Sequence, residues 1–252
     1  MKASDMKGKV ALVTGAASGL GKNTALAIAR AGANVCVVDV NQSGLEDTAR
    51  TMRALGVDVH VHATDLSKAD NCRGAIAAAV QTFGRLDALC NVAGIIFFAN
   101  AHEMPQADGD KTLAVTLSAP FFRIQAANPH WLAANGAVVN VTSSGGIVGE
   151  SYLTAYCASK AALMHLTKAL AMEYTYKPIR FNAVAPGGMM TNIAANLKMP
   201  ADVNYDLIKR FSGLRGMVEV DDVAELIAFL ASDAARGYHG ACITIDNGIT
   251  AG

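Results

Sequence analysis

Short runs of β-branched and other apolar residues alternate along the chain with longer, Ala-rich stretches whose apolar positions recur at helical spacing. The apolar runs predict strands at Val10–Thr14, Val35–Asp39, Val57–His62, Ala88–Asn91, Val138–Thr142, Arg180–Val184 and Cys242–Ile245. Between them the periodicity predicts helices near 20–31, 43–55, 67–83, 110–127, 154–175 and 221–232. Strands alternating with helices form βαβ units, which build a parallel sheet covered by helices on both faces. The expected fold is therefore α/β, a doubly wound parallel seven-stranded sheet. No repeat, low-complexity tract or Pro/Gly/Ser-rich linker divides the chain, so residues 1–252 read as one domain. Such a sheet offers its ligand site at the C-terminal ends of the strands, near the point where strand order reverses.

Composition narrows the function classes. Of the 252 residues 52% are hydrophobic, enough for a large core and too many for a disordered chain. Lys and Arg number 21 against 21 Asp and Glu, so no basic excess points to a nucleic-acid partner. The densest apolar run, 93–99, falls far short of the roughly 18–20 residues that cross a bilayer, and the N-terminus has no long apolar segment. Neither a membrane span nor a signal peptide is expected. Five widely spaced cysteines without a C-x-x-C pair read as reduced thiols of a cytoplasmic protein. The six histidines are scattered; His60 and His62 share a face of a predicted strand but lack further ligands, and no metal is expected.

Candidate chemistry sits where the strands end. The first strand runs into Thr14-Gly15-Ala16-Ala17-Ser18-Gly19-Leu20-Gly21 and then a helix. Glycines here allow a tight turn and close approach of backbone to a diphosphate, whose charge favours a helix N-terminus. Taken alone, such a turn also serves as a plain strand–helix connection. Asp39 ends the second strand, 24 residues after Gly15, where a carboxylate can accept hydrogen bonds from an adenosine ribose or simply cap a turn. Its charge would repel a 2′-phosphate, and Ser18 puts no cation in the turn, so NAD is favoured over NADP. Asp65-Leu66 follows the third strand at the same height; Asp65 fits either an adenine amino group or the start of a helix.

A second constellation lies further along. Tyr156 and Lys160, at i and i+4 of a predicted helix, share one helix face. Free tyrosine titrates near 10, so service as a base near neutrality needs a downward displacement worth roughly 4 kcal/mol. A neighbouring ammonium and a cationic nicotinamide ring supply a field of that sign. Ser143, 13 residues before Tyr156 and just after the fifth strand, can hydrogen-bond a substrate oxygen. Tyr-x-x-x-Lys by itself is also an ordinary surface helix pair.

Taken in order, the Gly-rich turn, Asp39, Asp65-Leu66, Asn91-Val92-Ala93-Gly94, Ser143, Tyr156-x-x-x-Lys160 and Pro186-Gly187 resemble the short-chain dehydrogenase/reductase family over essentially the whole chain. The resemblance implies a Rossmann-like single domain with a short helical substrate lid near 188–215. It implies Tyr156 as general acid/base, Ser143 orienting the reacting oxygen, and Lys160 both lowering the tyrosine pKa and binding the nicotinamide ribose. An NAD cofactor would lie against Gly15, Ser18, Gly19, Leu20, Gly21, Asp39, Val40, Asp65, Leu66, Asn91, Ala93, Gly94, Tyr156, Lys160, Pro186, Gly187, Met189 and Thr191. Two departures stand out: Val92 replaces the second Asn of the family's N-N-A-G, and Thr116 stands where relatives usually carry an Asn linked to proton relay.

The resemblance further implies a homotetramer built on paired long helices near 110–127 and 154–175. For the substrate, Ile95, Phe97, Ile147, Tyr152, Met189 and Met190, joined by Ile193, Leu197 and Met199 of the lid, suggest a mainly apolar pocket. Arg210 and Arg215 near the lid leave room for an anionic group. The expected reaction is reversible hydride transfer between NAD and a moderately apolar secondary alcohol or ketone. Two other readings stay in view: a 3-oxoacyl-thioester reductase of the same family, and a catalytically weak NAD-binding scaffold suggested by Thr116.

Overall fold

A computed structural model describes residues 5–131, 135–191, 198–213 and 215–251. Seven strands, β1 (Val10–Thr14), β2 (Asn34–Asp39), β3 (Val59–Ala63), β4 (Ala88–Asn91), β5 (Gly136–Val141), β6 (Ile179–Pro186) and β7 (Cys242–Ile245), form one sheet in the order β3-β2-β1-β4-β5-β6-β7. Every pairing is parallel. Each predicted strand is present, with ends displaced by a few residues. The largest displacements are of two residues: β3 begins two later than expected, β5 begins two earlier, and β6 ends two later.

Alternation along the strands divides the core. Ala11 and Val13 of β1 belong to one apolar cluster with residues of α1 (Gly19–Arg30) and α2 (Gln42–Arg53). Val10 and Leu12 point the other way, into a cluster with α3 (Ala69–Phe83) and residues of two later helices. Both faces of a parallel sheet are thereby covered, as its continuous hydrophobic strands require. Strand order reverses between β1 and β4, and the crevice outside their C-terminal ends receives the Gly-rich turn. There the Thr14 hydroxyl accepts hydrogen bonds from the backbone N–H groups of Val92 and Ala93, both at 3.1 Å, and ties the exit of β4 to the end of β1. Val92 serves this tie with its main chain, so a side-chain amide at that position is not needed for it.

The helix expected over 110–127 is longer and interrupted. It begins as α4 (Gln106–Leu113), passes through a π-helical turn at Ala114–Ser118, and resumes as α5 (Ala119–Trp131). Pro120 accounts for the break: it has no N–H to give the Thr116 carbonyl, so the α-helical ladder cannot close there, and Ala119 N–H bonds instead to Ala114 O. The next helix, α6 (Thr154–Glu173), carries Tyr156 and Lys160. A short helix α7 (Tyr205–Lys209) follows β6, and α8 (Val220–Ala231) packs on the α1 side of the sheet. The lid segment expected near 188–215 is partly described; Ile193 and Leu197 lie outside the described residues. No described helix is long and apolar enough to cross a membrane.

Beneath the crevice runs a buried polar chain that the sequence reading missed. Arg123 Nε donates to Asn91 Oδ1 at 2.8 Å, Asn91 Nδ2 to Asn140 Oδ1 at 2.8 Å, and Asn140 Nδ2 to Thr167 Oγ1 at 2.9 Å. It links α5, β4, β5 and α6, and thereby fixes the helix that bears Tyr156 against the centre of the sheet. Asn91, expected at the cofactor, turns its side chain into this network and does not line the cleft.

Candidate active site

One cavity of about 660 Å³ opens along the C-terminal edge of the sheet and is lined from the Gly-rich turn at one end to Phe211 of the lid segment at the other. At its first end the wall is main chain. Gly15 and Gly19 have φ of +72° and +51°, a region that favours glycine. A Cβ on Gly21 would stand 2.1 Å from Gly15 O, and one on Gly15 would stand 3.1 Å from Ala93 Cα. Side chains are thus excluded on both sides of the turn. Ser18 at the N-cap of α1 makes no side-chain cap bond and the first turn holds no acid, so the positive end of that helix faces the cavity. A close-approach cradle ending on an uncapped helix fits a diphosphate.

Asp39 ends β2 beside it. Its Oδ2 accepts from Ala17 N–H at 3.3 Å and its Oδ1 from Asn41 N–H at 3.0 Å, so the carboxylate is held against the turn while still lining the cavity. Asp39 therefore caps a turn and also faces the cleft. Val40, Thr64, Asp65 and Leu66 complete this end. The Asp65 carboxyl is held below its usual range, first by hydrogen bonding from Ser67, whose N–H donates at 2.9 Å.

The other end is built around Ser143, Tyr156 and Lys160, which all line the cavity. Ser143 follows β5, and its hydroxyl oxygen accepts from Gly145 N–H at 3.1 Å while standing beside the Tyr156 phenol, whose ionisation it favours. The tight turn Ser144–Gly146 is what permits the meeting: a Cβ on Gly146 would lie 2.9 Å from the Lys160 carbonyl carbon. Lys160 Nζ donates to Val141 O at 2.7 Å and lies 5.6 Å from the centroid of the Tyr156 ring. Gly94 lies beside that ammonium; a Cβ there would be in ordinary contact with Nζ at 3.5 Å.

Burial dominates the electrostatics. It lowers Lys160 to about 8. It pushes the Tyr156 phenol up to about 12; the Ser143 hydrogen bond opposes this, and the charge of Glu150 adds to it. Desolvation beside a carboxylate thus holds the phenol in its protonated form in the chain by itself.

Thr116 sits in the π-helical turn, 1% exposed, with its hydroxyl oxygen away from the cavity wall and without a partner among the described residues. Pro186, Gly187, Met189 and Thr191 line the cleft as expected, and a Cβ on Gly187 would meet Asp246 Cα at 2.9 Å. The apolar end agrees less well with expectation. Ile95 and Met189 line it, but Phe97 does not; Ile96 and Phe98 do. Ile147 and Met190 are exposed, the latter by 68%, and Met199 is exposed as well. Tyr152, at φ +67°, uses its hydroxyl to accept from Asn204 N–H at 2.8 Å and so anchors the lid segment. In a loop without periodicity, nothing in the sequence tells which of Ile95–Phe98 faces inward. Glu150, Leu153, Lys111 and Phe211, also on the wall, lay outside the motifs.

Comparison with known proteins agrees with this fold. The sequence profile of the family described as enoyl-(acyl carrier protein) reductase matches residues 15–250. D-threitol dehydrogenase of Mycolicibacterium smegmatis is 38% identical over 97% of this chain and 94% of its own length. Cyclohexanol dehydrogenase of an Acinetobacter species is 35% identical over 96% and 95%. A crystal structure of a short-chain type dehydrogenase/reductase from Mycobacterium marinum superposes with a TM-score of 0.89 at 30% identity, covering 98% of both chains.

Proposed function

The chain belongs to the short-chain dehydrogenase/reductase family, and from that membership we propose that it is an NAD-dependent oxidoreductase interconverting a moderately apolar secondary alcohol and its ketone. That it is an oxidoreductase acting on CH–OH groups follows from relatives named as threitol and cyclohexanol dehydrogenases. The family and its fold imply a nicotinamide cofactor. The choice of NAD rests on Asp39, whose charge at the ribose end of the cleft opposes a 2′-phosphate.

When bound, the cofactor supplies the two-electron chemistry, accepting or returning a hydride at its nicotinamide ring. The Gly15–Gly21 turn would hold its diphosphate, Asp39 and Val40 its adenosine ribose, Asp65 and Leu66 its adenine, and Pro186, Gly187, Met189 and Thr191 its nicotinamide. Protons fall to the chain. Ser143 and Tyr156 present two hydroxyls to one substrate oxygen, and Tyr156 exchanges the proton with it. A phenol pushed up to about 12 is protonated near neutrality, ready to donate in the reductive direction. Oxidation first requires its proton to leave. Lys160, lowered to about 8, carries a proton that is released far more readily than that of an exposed lysine.

The observation that carries this reading is the single cavity that joins the glycine cradle to the Ser143–Tyr156 pair. Removing the phenolic oxygen tests it: Tyr156→Phe is expected to cut turnover of secondary alcohols by at least 1,000-fold while NADH binding stays within a few-fold of wild type. Near-normal turnover in that variant would refute the assignment. Assembly as a homotetramer is part of the same proposal, supported by Leu113, Phe121 and Met172, which stand exposed on α4, α5 and α6.

A further inference from the structure

Around the Ser143–Tyr156 pair the cavity wall is mostly apolar, formed by Ile95, Ile96, Phe98, Leu153 and Phe211, and one carboxylate interrupts it. Glu150 is half-buried there and forms no ion pair with any described residue. Its Oε1 accepts from the Ser144 hydroxyl at 3.0 Å. Its Oε2 accepts no hydrogen bond among the described residues, yet is not one of their fully enclosed polar atoms. Space for it is provided by Gly145, where a Cβ would stand 3.0 Å from both Cδ and Oε2. The same glycine donates its N–H to Ser143, so the free carboxylate oxygen adjoins the turn that orients the reacting oxygen.

A carboxylate in an apolar wall costs free energy that one bond to a serine only partly offsets. We infer that Glu150, supported by Ser144, is the subsite for a second hydroxyl of the substrate, so that diols or polyols are preferred over simple alcohols. The assignment rests on the dehydrogenase reading above and specifies its substrate class. A hydroxyl suits the site better than an ammonium does. It brings one proton for one free acceptor, whereas an ammonium would leave two N–H groups against aliphatic and aromatic walls. A simple alcohol would leave Oε2 desolvated and unpaired, the situation that gives hydrogen-bonding sites their discrimination.

The test compares cyclohexanol with the stereoisomers of cyclohexane-1,2-diol and cyclohexane-1,3-diol, using wild type, Glu150→Leu and Glu150→Gln. For wild type, kcat/KM for the best diol is expected to exceed that for cyclohexanol at least tenfold. Glu150→Leu should reduce that ratio about 30- to 100-fold. Glu150→Gln, which keeps the volume and an acceptor, should reduce it about fivefold and guards against a misfolded leucine variant. A wild-type preference for cyclohexanol, or the same ratio in all three proteins, overturns the inference and leaves the dehydrogenase reading intact; a Glu150 that only braced the turn would slow both substrates alike. If no alcohol turns over, the dehydrogenase reading fails, and calorimetric titration of the same compounds decides separately. Diol binding that Glu150→Leu abolishes supports the subsite; diol binding that is absent or unchanged overturns it.

Discussion

One end of the cleft is walled mainly by main chain, and the other by side chains. The proposed cofactor end consists of a turn in which a Cβ on Gly21 would collide with backbone and Gly15 and Gly19 take positive φ, a helix N-terminus, and a carboxylate held by two backbone N–H groups. The substrate end is assembled from the segment after β4, the turn after β5 and the lid residue Phe211, joined by single side-chain contacts such as that of Tyr152 with Asn204. Backbone geometry tolerates almost no substitution, whereas side-chain walls can be exchanged one residue at a time. One end is thus suited to a constant ligand, and the other to a variable one.

Breaking the main-chain end should have the largest effect. Gly21→Ala places a methyl group 2.1 Å from Gly15 O and 2.9 Å from Thr14 O, both backbone atoms that cannot step aside. Cofactor affinity is expected to fall at least 100-fold, read by titration of NADH fluorescence. Wild-type affinity in this variant would mean that the turn does not hold the diphosphate. Next in size is the charge beside it. Asp39→Ala removes the repulsion against a 2′-phosphate and the acceptor for ribose hydroxyls together, and the preference for NAD over NADP in kcat/KM should fall about 10- to 100-fold. An unchanged preference would place the discrimination elsewhere.

This contrast also explains what could be read from the sequence. Strand positions, the parallel sheet and the cofactor motifs follow from local spacing, because each depends on residues near one another in the chain. Asp39 and Gly21 were legible for that reason. Glu150 was not: its meaning comes from Ser144, Gly145 and the cavity wall, and a lone acid in a polar loop carries no periodic signal. Arg123, Asn140 and Thr167 were hidden in the same way, as polar residues inside otherwise apolar elements whose partners lie on other strands and helices. The interruption after α4 did have a local signal, Pro120, which the helical periodicity around it masked.

Lys160 joins the two ends, and its burial predicts a smaller, measurable conflict between stability and function. It is 3% exposed and lowered from 10.5 to about 8. Below about 8 both folded and unfolded chains hold the ammonium, and folding bears the full penalty, roughly 3 kcal/mol. Between about 8 and 10.5 the folded lysine has released its proton while the unfolded one keeps it, so the penalty shrinks as pH rises. Lys160→Met removes the charge and also the bond to Val141 O, leaving an expected net gain of about 1–2 kcal/mol, or roughly 2–8 °C in Tm at pH 7. The gain should decline from pH 8 to 10, and turnover should be lost. A variant no more stable than wild type at pH 7 would show that the ammonium is well solvated through the cleft.

Thr116 gives the smallest effect and separates two meanings of a departure from family pattern. Its hydroxyl oxygen is enclosed in the π-helical turn with no partner among the described residues, so it contributes the cost of a desolvated polar group without a bond in return. Valine has nearly the same shape and no such cost. Thr116→Val is therefore expected to stabilise the fold by about 0.5–1 kcal/mol, a rise of roughly 1–4 °C in Tm by calorimetry. Lower turnover without that rise would show that the hydroxyl finds a partner during the reaction and belongs to the proton path. A rise in Tm would instead place this position with the packing that supports α6, leaving proton transfer to Tyr156 and Lys160.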